Sequence, residues 1–192
     1  MFSLLTLLVL AQTDSMTPLL QKGALVLVEQ AKDGKFQSAT GIVLVDAPPE
    51  KVWATLLKME DFKTFMPKLL ESEVSKRTAN SFEVRFVIDV PGPDTDYTLK
   101  YIRDDAKKTL TGAWVAGDLS GTRIFWTVEP ADNGKTLLSQ KVSVKNFSSI
   151  LTNLEDDQQT MTVGVNVSSA LAAGKALKKK CEQPSAAPDA GK

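Results

Sequence analysis

Along most of this chain, apolar and polar positions alternate. In Ser81–Val90, Phe82, Val84, Phe86 and Ile88 are interleaved with Glu83, Arg85 and Asp89, the two-residue repeat of a strand buried on one face. Further alternating runs fall at Leu70–Arg77, Asp96–Arg103, Thr109–Val115, Thr122–Val128 and Thr136–Lys145, and two segments rich in β-branched residues, Ala24–Glu29 and Gln37–Val45, precede them as the first strand candidates. Between them stand Pro91–Asp94, Asp104–Lys107, Gly117–Gly121 and Asp132–Lys135, whose Gly, Asn, Asp and Pro residues fix turns or tolerate positive φ. The pattern predicts an antiparallel meander with tight connections.

The meander is interrupted once and ends once. At Asp46-Ala47-Pro48-Pro49 proline bars further ladder pairing and suits the first turn of a helix. Val52, Trp53, Leu56 and Leu57 share a helical face within Glu50–Met59, and a second short turn, Asp61–Phe65, stops before Pro67. After Lys145 the period lengthens, with Ile150, Leu154, Gln158, Met161, Val165, Ser168, Ala172 and Ala176 recurring at helical spacing. This predicts a long helix with Asn146 or Ser148 as N-cap, Glu155–Asp157 towards its start and Lys178–Lys180 in its last turn, an arrangement that complements the helix dipole. Its second half is poor in large side chains, with Gly164, Ser168, Ser169, Ala170, Ala172, Ala173 and Gly174. Either the sheet approaches closely there or space remains, and a cavity is to be sought beside it.

Leu4–Ala11 is a short apolar run followed by Gln12-Thr13-Asp14-Ser15, which reads as a signal peptide over residues 1–11 with a cleavage site at Val9-Leu10-Ala11. The run is well short of the about 20 residues that a membrane span needs, and no cysteine follows it to carry a lipid. The expected plan is a signal peptide (1–11), a linker (12–21), one domain (22–180) and a disordered tail (181–192), in a protein that is periplasmic or secreted. The tail holds two prolines and no large apolar residue, too little to offset its ordering entropy.

Composition narrows the chemistry. With 23 basic and 23 acidic residues the chain offers no overall field for a phosphate backbone, so nucleic acid is not an expected partner. Histidine is absent, which removes Ser-His-Asp and Cys-His nucleophilic arrangements and the usual zinc ligands. Cys181 is the one cysteine, so no intramolecular disulfide forms, and beside the tail it is expected to be exposed or frayed rather than catalytic. Glu71 and Glu73 point outward on a strand, while Asp94, Asp96, Asp104 and Asp105 sit at turns. No catalytic residue, metal ligand or cofactor is expected.

The motifs Val43-x-Val45-x-Ala47-Pro48, Glu50-x-Val52-Trp53 and Phe62-x-x-Phe65-x-Pro67 are followed by Gly121-Thr122, Trp126, Glu129-Pro130 and Gly134-Lys135-Thr136. In this order, on these elements, the chain resembles the START-like (SRPBCC, helix-grip) superfamily, in particular its polyketide cyclase/dehydrase and coenzyme Q-binding group. The resemblance implies an α+β helix-grip fold: a curved antiparallel sheet of about seven strands wrapped around a long C-terminal helix, with two short helices after the first family strand. It also implies a cavity between sheet and helix, used by relatives for lipids, sterols, quinones and polyketides, and for catalysis in only some of them.

Strand alternation places Phe82, Phe86, Tyr97, Tyr101, Trp114, Trp126 and Gln140 on the face turned to the helix, and Met161 and Val165 on the helix itself. These are the candidate ligand-binding residues, with Tyr101, Gln140 and Asn166 or Thr162 as the polar groups that would orient a ligand's head. An aromatic stripe is more often core packing than binding, and the small-residue helix is what tilts the reading towards a cavity. The expected function is binding or carriage of an apolar small molecule without covalent chemistry, with any membrane contact transient. A cyclase/dehydrase-type enzyme is the first alternative, and an accessory protein docking through Lys178–Lys180 or an apolar patch is the second. Oligomeric state is not legible.

Overall fold

The computed structural model describes residues 13–90, 93–144 and 158–184. Its centre is an eight-stranded antiparallel sheet: β1 (Leu25–Gln30), β2 (Phe36–Val45), β3 (Leu69–Ser75), β4 (Ser81–Ile88), β5 (Thr95–Asp104), β6 (Thr109–Gly117), β7 (Arg123–Pro130) and β8 (Thr136–Ser143). The spatial order is β1-β2-β8-β7-β6-β5-β4-β3, so β3 to β8 run as a meander and β8 returns to pair with β2. Eight strands correspond to the eight runs read from the sequence, one more than the about seven that the family resemblance implies.

Helix α2 (Pro49–Leu57) starts where the proline pair predicts, with Pro48 extended at its N-cap and proline in its first turn. A 3₁₀ turn, Met59–Thr64, follows. Both bury apolar side chains: Val52, Trp53 and Leu56 from the helix, Met59 and Phe62 from the turn. Trp53 Nε1 donates to Asp105 Oδ1 at 3.0 Å, and Ser72 Oγ donates to the Met59 carbonyl at 2.6 Å. These bonds fix the two elements over one end of the sheet.

The expected linker holds a helix. Thr13–Lys22 forms α1, and its Leu20 packs with Ile42, Leu44 and Leu137. The cause lies in β2, where Ile42-Val43-Leu44-Val45 lacks alternation because both of its faces are covered. Val43 and Val45 enter the main core, while Ile42 and Leu44 meet α1 on the opposite face.

Helix α3 (Gln158–Glu182) lies along β2 and β8. Its buried positions are Asn166, Ala170, Gly174, Leu177 and Cys181, a stripe displaced from the expected Met161, Val165, Ser168, Ala172 and Ala176; Ser168 is exposed. The displacement follows from packing of small groups. A Cβ on Gly41 of β2 would come within 2.6 Å of the Ala170 carbonyl oxygen, and one on Gly174 would touch Val43 at 3.5 Å. The second half of the helix is therefore seated directly on β2, so the small residues there serve close approach rather than a cavity.

The helix continues beyond the expected start of the tail. Cys181 is buried at 1% exposure, beside the Thr55 hydroxyl of α2, correcting the exposed or frayed cysteine. Lys178 Nζ donates to the Leu44 carbonyl at 2.5 Å and to Glu182 Oε1 at 2.6 Å. The same carboxylate oxygen accepts the Asp46 N–H at 2.7 Å. The candidate caps Asn146 and Ser148, the positions Ile150, Leu154 and Glu155–Asp157, the segment 1–12 and the tail from 185 lie outside the described residues.

Candidate functional site: the concave face of the sheet

The inner face can be read as rows across the strands. One row runs Gly41, Gln140, Trp126, Leu110 from β2 to β6, and another runs Val142, Ile124, Gly112, Tyr101, Phe82 from β8 to β4. A third places Gly117, Tyr97 and Phe86 side by side. Alternation thus brings Phe82, Phe86, Tyr97, Tyr101, Trp126 and Gln140 to one face, all of them buried. Ring centroids lie 5.5 Å apart for Phe82 and Tyr101, 5.6 Å for Phe86 and Tyr97, and 6.5 Å for Phe86 and Tyr101. The four rings form a continuous aromatic wall on β4 and β5.

Room for that wall is made by a glycine. Tyr101 pairs across strands with Gly112, where a Cβ would come within 2.6 Å of Tyr101 Cε1. Burial raises the Tyr97 and Tyr101 phenols above their ordinary value, and at Tyr101 the neighbouring Tyr97 adds a smaller charge–charge contribution in the same direction. Both phenols therefore stay protonated at neutral pH and serve as hydroxyl groups, not as bases.

The remaining sequence candidates occupy different settings. Trp114 is half-buried at the margin of the core, and its Nε1 donates to the carbonyls of Gly117 at 3.2 Å and Asp118 at 2.9 Å, which ties it to the β6–β7 turn. Met161 and Val165 are half-buried on α3 and lie outside its buried stripe. Asn166 is not free to orient a ligand: fully buried, its Oδ1 accepts the Val144 N–H at 2.7 Å, and its Nδ2 donates to the carbonyls of Val144 at 3.1 Å and Thr162 at 2.8 Å. It extends the end of β8 into the helix as a neighbouring strand would.

Gln140 differs. It is 5% exposed, between Gly41 and Trp126, and its Oε1 is buried without a hydrogen-bond partner. No feature of the sequence reveals that difference, since Asn166 and Gln140 are both single polar positions in apolar stripes.

The acidic pairs take structural roles. Arg85 binds Asp96 through two nitrogens, at 3.0 and 2.7 Å, and Glu71 at 2.5 Å, and these bonds raise its pKa further. Asp104 accepts the Lys107 N–H at 3.0 Å within its turn. Among the described residues no three His, Cys, Asp or Glu side chains gather to hold a metal, and no helix is long and apolar enough to cross a membrane. A surface pocket of about 390 Å³ lies away from the concave face, lined by Lys51, Ala54, Thr55, Lys58, Asp61, Phe65 and Lys180.

A curved antiparallel sheet, an aromatic inner face and a long C-terminal helix laid against it define a START-like, helix-grip protein. The family described as polyketide cyclase / dehydrase and lipid transport matches residues 45–168, well over half of the chain, and the protein belongs to it. Among solved structures, the ZhuI aromatase/cyclase from Streptomyces is similar at 18% identity and a TM-score of 0.66, covering 76% of this chain and 93% of that one. A STAR-related lipid transfer protein fragment from Xanthomonas axonopodis matches at 19% identity and a TM-score of 0.66, covering 84% and 95%. The human StarD13 lipid transfer and protein localization domain matches at 16% identity and a TM-score of 0.55, covering 89% and 95%. No curated protein matches the sequence.

Proposed function

We propose that this protein binds and carries an apolar small molecule (a lipid, quinone, sterol or polyketide-like compound) between the concave face and α3, without forming a covalent bond to it. The observation that carries the proposal is the aromatic wall of Phe82, Phe86, Tyr97 and Tyr101, continued by Trp126, with Gln140 as the polar group at its α3 side. Such a surface favours ligands that gain by leaving water, at roughly 25 cal/mol per Å² of apolar area. The lipid-transfer and aromatase/cyclase names of the similar structures agree with this ligand class. The cell envelope is the proposed location, resting on Leu4–Ala11. A mature N-terminus at Gln12 supports that location, and a retained Met1 contradicts it.

A cyclase or dehydrase is the second reading, favoured by the two buried phenols, which can donate to a developing oxyanion. The primary test is native mass spectrometry of protein purified from its own host, with extraction of whatever remains bound. A co-purified apolar molecule supports carriage. Absence of any such molecule, together with no binding of lipids or quinones in vitro, overturns it.

A further inference from the structure

Two buried side-chain atoms among the described residues lack a hydrogen bond, Arg103 Nε and Gln140 Oε1. Arg103 Nε lies 3.3 Å from Asp105 Oδ2, so a carboxylate offsets its charge. The Gln140 acceptor has no donor, and its neighbours on the same face of β8, Leu138 and Val142, are apolar and 1% exposed. An apolar residue at this position would pack without stripping a carbonyl oxygen of water, so an unpaired amide oxygen here lowers the stability of the fold. Asn166 shows the contrast: a buried amide with a structural role has all of its bonds made. Position adds to the argument. Gln140 stands between Gly41, which lies under Ala170 of α3, and Trp126, where the aromatic surface begins. It therefore occupies the boundary between the part of the sheet that α3 covers and the aromatic wall.

We infer that Gln140 is the polar anchor of the ligand space, and that the natural ligand is an apolar alcohol or phenol whose O–H donates to Gln140 Oε1. This rests on the carrier reading. The leftover atom is an acceptor, so a hydrocarbon, ether or ketone leaves it unpaired. An ammonium group would bring a charge that the apolar wall does not offset.

The test is calorimetric titration of the full-length protein with matched probes: dodecanol against dodecyl methyl ether, and naphthol against methoxynaphthalene. For the skeleton that fits, the hydroxyl probe should bind about five- to a hundredfold tighter than its ether, the range expected when a buried acceptor gains its only partner. Gln140→Met should abolish the gap by weakening the hydroxyl probe while leaving the ether unchanged. Gln140→Leu provides the same comparison should the methionine variant misfold. Equal affinities in the wild type, a preference for the ether, or a gap that survives both substitutions overturns the anchor and leaves the carrier reading standing. No binding of any of the four probes overturns the anchor, and the carrier reading falls with it only where host-purified protein also holds no apolar molecule and binds no lipid or quinone.

Discussion

Replacing Gly41 by alanine tests how closely α3 is seated on the sheet. The added Cβ would lie 2.6 Å from the Ala170 carbonyl oxygen, 2.8 Å from its carbonyl carbon and 3.1 Å from its Cβ. Ordinary contact begins at 3.4 Å, so the helix backbone must retreat by the difference between 3.4 and 2.6, about 0.8 Å. It cannot retreat freely, because Asn166 binds it to Val144 on one side of the contact and Lys178 binds it to Leu44 on the other. Gly41 does not have a positive φ, so alanine incurs no backbone strain and regains about 0.5–1 kcal/mol through a less flexible unfolded chain. Overpacking costs about 1–3 kcal/mol, and the net expectation is destabilisation by about 1–2 kcal/mol. Urea unfolding followed by circular dichroism should show a lower midpoint with an unchanged slope. Because the nearest obstacle is backbone, Ala170→Gly should not rescue the variant. A neutral or stabilising Gly41→Ala, or full rescue by Ala170→Gly, would mean that the α3 backbone is not seated this closely on β2.

Three further outcomes are expected. Asn166→Ala removes the amide that pairs with both the N–H and the carbonyl of Val144 and should cost about 2–3 kcal/mol in urea unfolding; a loss below about 0.5 kcal/mol would contradict the strand-like role assigned to this amide. The chain's two tyrosines are Tyr97 and Tyr101, and their folded pKa values lie above the ordinary 10.0. The unfolded chain therefore loses these protons first, so stability is full below pH 10.0 and falls above it, by up to about 1.4 kcal/mol per pH unit for each phenol. Phenolate absorbance should appear together with unfolding, and a separate titration step near pH 10.0 with the fold intact would show that the wall is open to water. Leu20→Ser should cost about 2 kcal/mol by exposing the α1 contact and should admit trypsin at Lys22, whereas unchanged protease resistance would mean that α1 does not depend on that side chain.

The meander was legible because strands such as β4 and β5 turn one face to the core, so alternation carried the register of Phe82 to Ile88 and of Tyr97 to Tyr101. Turn residues such as Asn133-Gly134, both at positive φ, marked the connections. Helix α1 was missed because Pro18 and few apolar residues obscure its own pattern. Its signal lay instead in the unbroken Ile42–Val45 run, which requires cover on both faces. The buried stripe of α3 was misplaced because Asn166, Ala170 and Gly174 include no large apolar side chain; they face the sheet because they are small or hydrogen-bonded, and a hydrophobic period carries neither reason. For the site, alternation identified the wall, while the fates of Asn166 and Gln140 depended on where backbone groups fall in three dimensions.

Photo-crosslinking reads out whether an apolar ligand sits against the concave face. A long-chain alcohol carrying a diazirine near its hydroxyl should label peptides containing the inner positions of β4, β5, β7 and β8, and an excess of unlabelled alcohol should suppress that labelling. Labelling confined to the outer pocket of Lys51, Phe65 and Lys180, or labelling that excess alcohol leaves unchanged, would contradict a ligand at that face.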